Sequence, residues 1–407
     1  MTRAGAQTEN ATRPPWVIVA GGFHQAGGMD RANAALATYL CELGRPVHLV
    51  SFRVNDDLEQ GSYVTVHRVG RPGASFFLGE MKLGWTGRMI AQEITSRWPD
   101  ARILVNGGNC AWPGINWVHC VHREWRVCDR SAPLWFRVKN RLEKLAARHR
   151  ERKALRLAQT VLVNSERSRR DLITGLKLAP QHVHTVYLGS DSDWKLITPA
   201  RRAAARAWLG KMHARPLVSF VGSLGYDNNK GLDTLWSAWR VLCAQPEWDA
   251  DLIVAGQGRA LPSWQETVVR AGLEKRAMFL GFTDRIADLF AAVDLLVSPV
   301  RYESYGLNVH EAICCGVPAI VSACAGVAER YPAELADFLI TNPDDVNELV
   351  TKLRCWRSDV EGFRRRIRPM EQALRSYSWR DMAQRIVAIV EERDSEASAA
   401  PAAAALC

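Results

Sequence analysis

Glu303 and Glu311 stand eight residues apart in the stretch RYESYGLNVHEAICCGVP, residues 301–318, with Gly306 between them and the apolar run DLLVSPV just before. Two glutamates at such a spacing are, taken alone, an ordinary solvated surface feature. Their setting supplies the chemistry. Gly316 followed by Pro318 marks a helix end, so the pattern predicts a helix that begins near Tyr305 or Gly306 and stops at Gly316. Glu303 then sits on the loop at the helix start, and Glu311 lies over a turn into it. The backbone N–H groups at a helix start form an anion site suited to a phosphate, and Gly306 lets the backbone approach closely. A carboxylate beside a phosphate site is costly unless it meets hydroxyl donors or positive charge. Sugars offer hydroxyls, and an oxocarbenium-like transition state develops positive charge. A nucleotide sugar presents a ribose diol, a diphosphate and a sugar in line, which gives each glutamate and the helix start a separate task.

The elements that must hold these residues alternate between strand and helix. WVIVA (16–20) is a short apolar run, followed by the glycine-rich GGFHQAGGMDR. A helix-period segment carrying Leu36, Leu40 and Leu43 ends at Gly44 and Pro46, and VHLVSF is the next strand. RILVN (102–106), NWVHCVH (116–122) and TVLVN (160–164) read as buried strands, with Ser165 placed as a helix N-cap. PLVSFVG, DLIVAG, MFLGF, DLLVSPV and PAIVSA repeat the logic in the second half. The alternation predicts an α/β chain with a doubly wound parallel sheet in each half, a construction that binds ligands beyond the carboxyl ends of its strands. At 407 residues the chain also exceeds what one hydrophobic core supports. The expected division is a disordered lead-in over 1–15, a first domain over 16–190 and a second over 191–375. A helix over 376–394, with Trp379, Met382, Ile386 and Ile389 on one face, would cross back to the first domain. The Ala-rich tail over 395–407 is expected to be disordered.

Set in this framework, the chain resembles the family-four (group 1) retaining glycosyltransferases, which carry an E-x7-E signature and a GT-B fold of two Rossmann-like domains facing a central cleft. The resemblance runs from about Trp16 to Val390. GGFHQAGGMDR resembles the family's first glycine-rich loop, and VNSERSRRDL, FVGSLGYDNNKGLDTLWSAW and LIVAGQG resemble three further segments in the family's order and spacing. The resemblance implies that Lys230 reaches the donor diphosphate, that Glu311 holds the ribose hydroxyls and that Glu303 contacts the donor sugar. Ser304, Tyr305, Gly306 and Leu307 would line the phosphate loop. His122, in VHREW, would lie near the donor sugar and diphosphate, with Gly27 and Gly28 facing the diphosphate and acceptor from the other side of the cleft. Two departures stand out. Ser223 occupies the place after VG where many members carry Arg, which shifts diphosphate neutralisation onto Lys230 or another cation. CAGVAER, with Gly326 and Glu329, replaces the glycine pair that often precedes a glutamate.

The implied reaction moves a sugar from a nucleoside-diphosphate-sugar donor to a hydroxyl of a glycan, lipid-linked or small-molecule acceptor, as in bacterial-type surface polysaccharide or glycoconjugate synthesis. It proceeds with retention, by a front-face route in which the leaving phosphate helps deprotonate the incoming hydroxyl. A GT-B-like nucleotide-sugar epimerase and an inactive sugar-nucleotide or membrane-binding module are the alternatives. No cofactor and no metal are expected: the DSD sequence at 191–193 resembles a metal-binding D-x-D but falls at the domain join, where it reads as linker. The first glycine loop is not G-x-G-x-x-G, which disfavours a dehydrogenase. His122 is either a structural histidine or a cleft residue, and Trp112, Trp117 and Trp125 either stack acceptor sugars or pack the core.

Net charge is +10, and between Arg137 and Arg156 nine Lys or Arg face only Glu143 and Glu151. The same segment carries Trp135, Val138, Leu142 and Leu145 at helical spacing. A basic amphipathic helix fits an anionic membrane surface, and it equally fits a solvated helix with its stripe packed on the core. No nucleic-acid-binding motif accompanies the charge. The ten cysteines lack paired spacing and are expected to be reduced and mostly buried. The longest apolar runs fall far short of the ~20 residues a membrane span needs, and the N-terminus lacks the apolar core of a signal peptide. A cytoplasmic protein, peripheral on the inner face of the plasma membrane, is the expectation.

Overall fold

The fold is that of a computed structural model, which describes residues 13–404 except 26, 72, 74–75, 126–131, 192–193, 195 and 212–214. The side chains of 76–77 and 395–404 are likewise undescribed. Most of the expected lead-in, and Ser192 and Asp193 of the DSD motif, therefore lie outside the described residues.

The chain forms two compact units. The first comprises Met1–Arg123, Lys139–Gly189 and Trp379–Cys407. Its strands are β1 (Trp16–Val19), β2 (Gly22–Phe23), β3 (Val47–Ser51), β4 (Arg53–Val54), β5 (Val64–Arg68), β6 (Arg102–Asn106), β7 (Ile115–Val118), β8 (Thr160–Val163) and β9 (Val183–Thr185). Seven of them make one parallel sheet in the order β5-β3-β1-β6-β7-β8-β9, while β2 and β4 pair separately. The central strands are aliphatic on both faces because helices cover both sides of a parallel sheet; Val17, Val19, Val50, Ile103 and Val105 share one core cluster with Leu83. The helices are α1 (Gly28–Glu42), α2 (Asp56–Glu59), α3 (Phe76–Arg97), α4 (Leu134–Leu157, of which the residues up to Val138 fall in the second unit) and α5 (Glu166–Leu176). Ser165 caps α5 by accepting from the Ser168 N–H at 3.1 Å.

The second unit comprises Glu124–Val138 and Ser190–Ser378. Its strands are β10 (Leu217–Val221), β11 (Asp251–Ala255), β12 (Ala277–Gly281), β13 (Leu295–Ser298), β14 (Ala319–Ser322) and β15 (Leu339–Ile340). They form a parallel sheet in the order β12-β11-β10-β13-β14-β15. Its helices are α6 (Pro199–Trp208), α7 (Leu232–Cys243), α8 (Leu261–Arg270), α9 (Ile286–Ala292), α10 (Leu307–Cys314), α11 (Val346–Ser358), α12 (Val360–Arg366) and α13 (Arg368–Arg375). Each half thus holds the doubly wound parallel sheet that the strand-helix alternation predicts.

Four expectations are corrected. The segment 124–138, taken as part of the first domain, belongs to the second unit, because Trp125 packs near Tyr302 and Phe136 meets Tyr226 edge-on, at ring separations of 6.4 and 5.3 Å. The strand read over 116–122 stops at Val118, and His119 turns inward against Trp117. The last helix, α14 (Trp379–Ala404), packs on α1 through Met382, Ile386 and Ile389 and runs on through most of the stretch expected to be a disordered tail; the Ala-rich sequence that lacks a core face is also the best helix former. Of eight described cysteines, all free, only Cys110, Cys314 and Cys315 are buried. Among the described residues no helix is long and apolar enough to cross a membrane.

Candidate active site

In the second unit two loops at the carboxyl ends of β10 and β13 are drawn together by backbone that only glycine permits. Gly231 has φ +74, and a Cβ there would lie 1.9 Å from the Pro299 carbonyl oxygen. The loops are then stitched by paired hydrogen bonds. The Arg301 N–H donates to Asn229 O at 2.8 Å, and Asn229 Nδ2 donates to Tyr302 O at 2.9 Å. The Arg301 side chain, nearly buried, forks onto Asp233 with two bonds of 2.8 Å and reaches Asp344 at 2.7 Å. Burial alone would pull its pKa down, but the two carboxylates more than restore it and leave it raised. One consequence of this stitching is that Lys230 and Glu303, distant in sequence, form a direct ion pair, with both side chains about three-quarters buried.

The helix start follows at once. Gly306, with φ +108, is the N-cap of α10, and no side chain caps it. A Cβ on Gly306 would sit 2.9 Å from Val327 Cγ1, so a larger residue would push the loop off the following 3-10 turn. Asn308 anchors the first turn by donating from Nδ2 to Val221 O at 2.9 Å, tying α10 to the end of β10. Glu311, one turn on, is buried; side chains on a helix lean toward its N-terminus, so its carboxylate leans toward the helix start. Gly316 closes the helix in the left-handed region at φ +76.

Not every residue of the expected phosphate loop offers its side chain there. Ser304 and Tyr305 are buried, Leu307 is half-buried and Ser223 is exposed. The Tyr305 ring turns into the core, where its hydroxyl bonds to His310 Nδ1 at 2.7 Å. His310 Nε2 bonds to Ser190 Oγ at 2.6 Å, and Ser190 Oγ donates to Leu374 O at 2.7 Å. That last donation leaves Ser190 Oγ to accept from Nε2–H. Burial, and secondarily Arg330, push its pKa down to about 3, so the imidazole is neutral and its unprotonated Nδ1 accepts from the Tyr305 hydroxyl.

In the first unit His122 lies on the loop beyond β7, with its ring partly exposed. Its Nδ1 bonds to Glu151 Oε1 at 3.0 Å, and the same oxygen accepts the His122 backbone N–H at 3.1 Å. Arg148 holds the loop from the other side, donating to the carbonyls of His122 and Arg123 at 3.1 and 3.2 Å. Glu151 is only 1% exposed. It orients the imidazole so that Nδ1 is committed to the carboxylate and Nε2 points away from it. His119, three residues earlier, is the structural histidine of the pair: burial lowers it to about 3, and its Nδ1 meets Asn164 Nδ2 at 3.0 Å. Gly27, at φ +111, is the uncapped start of α1, and Gly28 is its first residue. Trp117 is fully buried, with Nε1 donating to Asn164, and Trp112 packs beside the core; Trp125 meets Tyr302.

The structure thus brings Lys230, Glu303, Gly306 and the Glu311 helix together in one unit, and sets His122, Gly27 and Gly28 in the other. Sequence reasoning missed Glu151, Arg301, Asn308 and His310. Glu151 in particular carries no signal, because it sits among basic residues as one more helix charge.

Residues 26–194 match the family model described as Glycosyltransferase Family 4, and residues 215–359 match Glycosyl transferases group 1. Alpha-D-kanosaminyltransferase of Streptomyces kanamyceticus is 29% identical over 217 residues, covering 53% of this chain and 54% of that protein. The lipopolysaccharide core biosynthesis mannosyltransferase LpsB of Rhizobium meliloti is 30% identical over 184 residues, covering 43% and 51%. The chain spans about half the length of the curated relatives it matches. Among solved structures, WaaG, a glycosyltransferase involved in lipopolysaccharide biosynthesis, superposes with a TM-score of 0.72 at 17% identity, covering 92% of this chain and 99% of that one. HepE of Anabaena in complex with UDP and glucose gives 0.68 at 20% identity, covering 93% and 100%. With one family model on each of two parallel α/β halves, and the whole-chain fold shared with these enzymes, the chain belongs to the group 1 glycosyltransferases of the GT-B fold.

Proposed function

We propose that this chain is a retaining glycosyltransferase that moves a sugar from a nucleoside-diphosphate-sugar donor to a hydroxyl of a glycan or lipid-linked acceptor. The observation that carries the reading is the Lys230–Glu303 pair set beside the uncapped start of α10, with Glu311 buried one turn in. An anion at the helix start meets the helix dipole and a lysine that its loop already holds in place. Lys230 and the backbone near Gly306 take the diphosphate, Glu311 takes the ribose diol and Glu303 lies along the sugar. The bond from the anomeric carbon to the phosphate oxygen breaks, the acceptor oxygen bonds to that carbon on the same face, and the acceptor proton passes to the leaving phosphate. Glu303 stabilises the positive charge that develops between these events. In the first unit, Glu151 locks His122 through Nδ1, which makes Nε2 the ring nitrogen that a donor contact would use. The UDP and UDP-glucose complexes of HepE support a nucleotide-sugar donor. The lipopolysaccharide role named for LpsB supports a glycan acceptor.

Screening nucleotide sugars by thermal shift and by release of free nucleotide tests this reading directly. A donor that stabilises the protein and is consumed only with acceptor present supports transfer. Conversion of donor without acceptor would make the enzyme an epimerase, and binding with no turnover would make it a binding module. Diphosphate neutralisation by Lys230 and α10 leaves no required role for a metal ion. Transfer is therefore expected to persist in excess EDTA, and complete loss restored by Mn²⁺ or Mg²⁺ would overturn that assignment.

Residues 137–156 supply a second partner, an anionic membrane surface, which suits a lipid-linked acceptor and a place on the inner face of the plasma membrane. Their apolar stripe supports this, since it is exposed where a purely structural helix would bury it.

A further inference from the structure

Within the first unit two helices, α3 and the part of α4 from Lys139 onward, turn apolar residues to solvent. On the first-unit part of α4, Leu142 and Leu145 are 63% and 61% exposed. On α3, Leu78, Met81, Trp85 and Met89 are 47% to 58% exposed. The α3 residues recur in steps of three, four and four, so they form a single line along the helix. Leu83, Ala91 and Ile94, on the opposite side of α3, fill the core. On α4 the buried residues Glu151, Ala154 and Leu155 likewise lie opposite the stripe. Each helix therefore has one core face and, opposite it, apolar side chains that are largely exposed among the described residues.

The topology puts the two stripes on the same side. The crossover from β5 to β6 through α3 and the crossover from β7 to β8 through α4 run along the sheet in the same direction. Right-handed crossovers of the same direction place their helices on the same face. An ion pair between Arg150 of α4 and Glu80 of α3 confirms that the helices are neighbours. The α1 crossover from β1 to β3 runs the other way, and the face it covers is shared with α14.

Charge identifies what the paired stripes fit. Lys139, Arg141, Arg152 and Lys153 are exposed on α4, and Lys82 and Arg88 on α3. Glu143 is the one exposed carboxylate of α4, because Glu151 is buried beneath His122. Apolar side chains flanked by long cations, with the exposed indole of Trp85 on α3, match the headgroup boundary of an anionic bilayer: indoles settle at that depth, and Lys and Arg reach past their apolar stems to the phosphates.

We propose that α3 and α4 together form one platform that docks this unit on an anionic lipid bilayer. The proposal rests on the reading of residues 137–156 as a membrane segment and extends it to a second helix, so its test separates the two. The full chain is sedimented with phosphatidylglycerol–phosphatidylcholine vesicles, and each variant is first shown to melt with the parent. Met81→Gln with Trp85→Gln on α3, and separately Leu142→Gln with Leu145→Gln on α4, are each expected to lower partitioning about tenfold or more. Changing Lys139, Arg141, Arg152 and Lys153 to Gln is expected to abolish the preference for anionic vesicles, and high salt to release the parent. Arg148 is left in place because it holds the His122 loop. If the α3 pair binds like the parent while the α4 pair does not, the two-helix platform is wrong and the single-helix reading stands. If both pairs bind like the parent, or if neutral vesicles bind equally well, the membrane reading itself falls. If vesicles fail to bind and the parent self-associates through these residues, the face is a protein interface and the proposal is overturned.

Discussion

Glu303→Gln is expected to lower kcat by a factor of about 10² or more while leaving the donor KM near the parent value, which corresponds to about 3 kcal/mol of transition-state stabilisation. The reasoning begins from geometry. Glu303 is held at the bend where its carbonyl accepts the Gly326 N–H at 3.0 Å and its side chain pairs with Lys230. Gln preserves the size and one acceptor oxygen, so the loop and the contact to Lys230 survive. What disappears is a full negative charge beside a sugar that turns cationic only as the bond to phosphate breaks. A contact that strengthens only in the transition state appears in kcat. Glu311→Ala supplies the contrast. The ribose does not change during the reaction, so its contacts hold ground state and transition state alike, and the loss should appear as a raised donor KM. The melting temperature of Glu303→Gln should stay near the parent, because the substitution keeps the size of a side chain that is still about a quarter exposed. Near-parent kinetics for that variant would return the two glutamates to an ordinary surface pair.

How much of this site can be read from the chain differs from part to part, for physical reasons. The helix that carries Glu311 is legible because its ends obey local rules: a glycine N-cap, and a left-handed glycine followed by proline. The parallel strands are legible because burial on both faces removes polar residues from them. The stitching of the Lys230 loop to the Glu303 loop is not legible. It depends on Arg301, whose partners Asp233 and Asp344 come from elements far away in sequence. Glu151 illustrates the same limit more sharply. A helical pattern counts it as one acid among many bases, and only the tertiary fold shows that it is buried under His122. The apolar stripe of α4 fails in the opposite sense. Periodicity reveals that an amphipathic face exists, but it carries no information about whether that face meets the core or the outside. Trp125 and Phe136, for their part, leave the unit that precedes them in sequence because aromatic partners, Tyr302 and Tyr226, lie in the other.

Lys230→Met is expected to have the larger effect on kcat/KM, a loss of about 10³-fold, because one cation serves two charges here. Ser223 is uncharged and exposed at the end of β10, so the loop that carries Lys230 has no second cation at that point to meet a diphosphate. The lysine is also specific in shape. Its stem runs across Gly222, where an added Cβ would already stand 3.2 Å from Lys230 Cγ. Arg would place a wider, planar group in that narrow course, and Lys230→Arg should recover only part of the loss. Stability should change by less than about 1 kcal/mol, since the partly exposed Glu303 can rehydrate when its partner is removed. The decisive measurement is the double variant. Lys230 and Glu303 touch, so the effects of Lys230→Met and Glu303→Gln should not add. Removing the lysine already displaces the diphosphate and leaves the carboxylate without its counter-charge, and the further change to Gln then costs little. The double variant should therefore lie close to Lys230→Met alone. If its loss in kcat/KM instead equals the product of the two single losses, the residues act independently, and the ion pair is not the unit through which this site handles its donor.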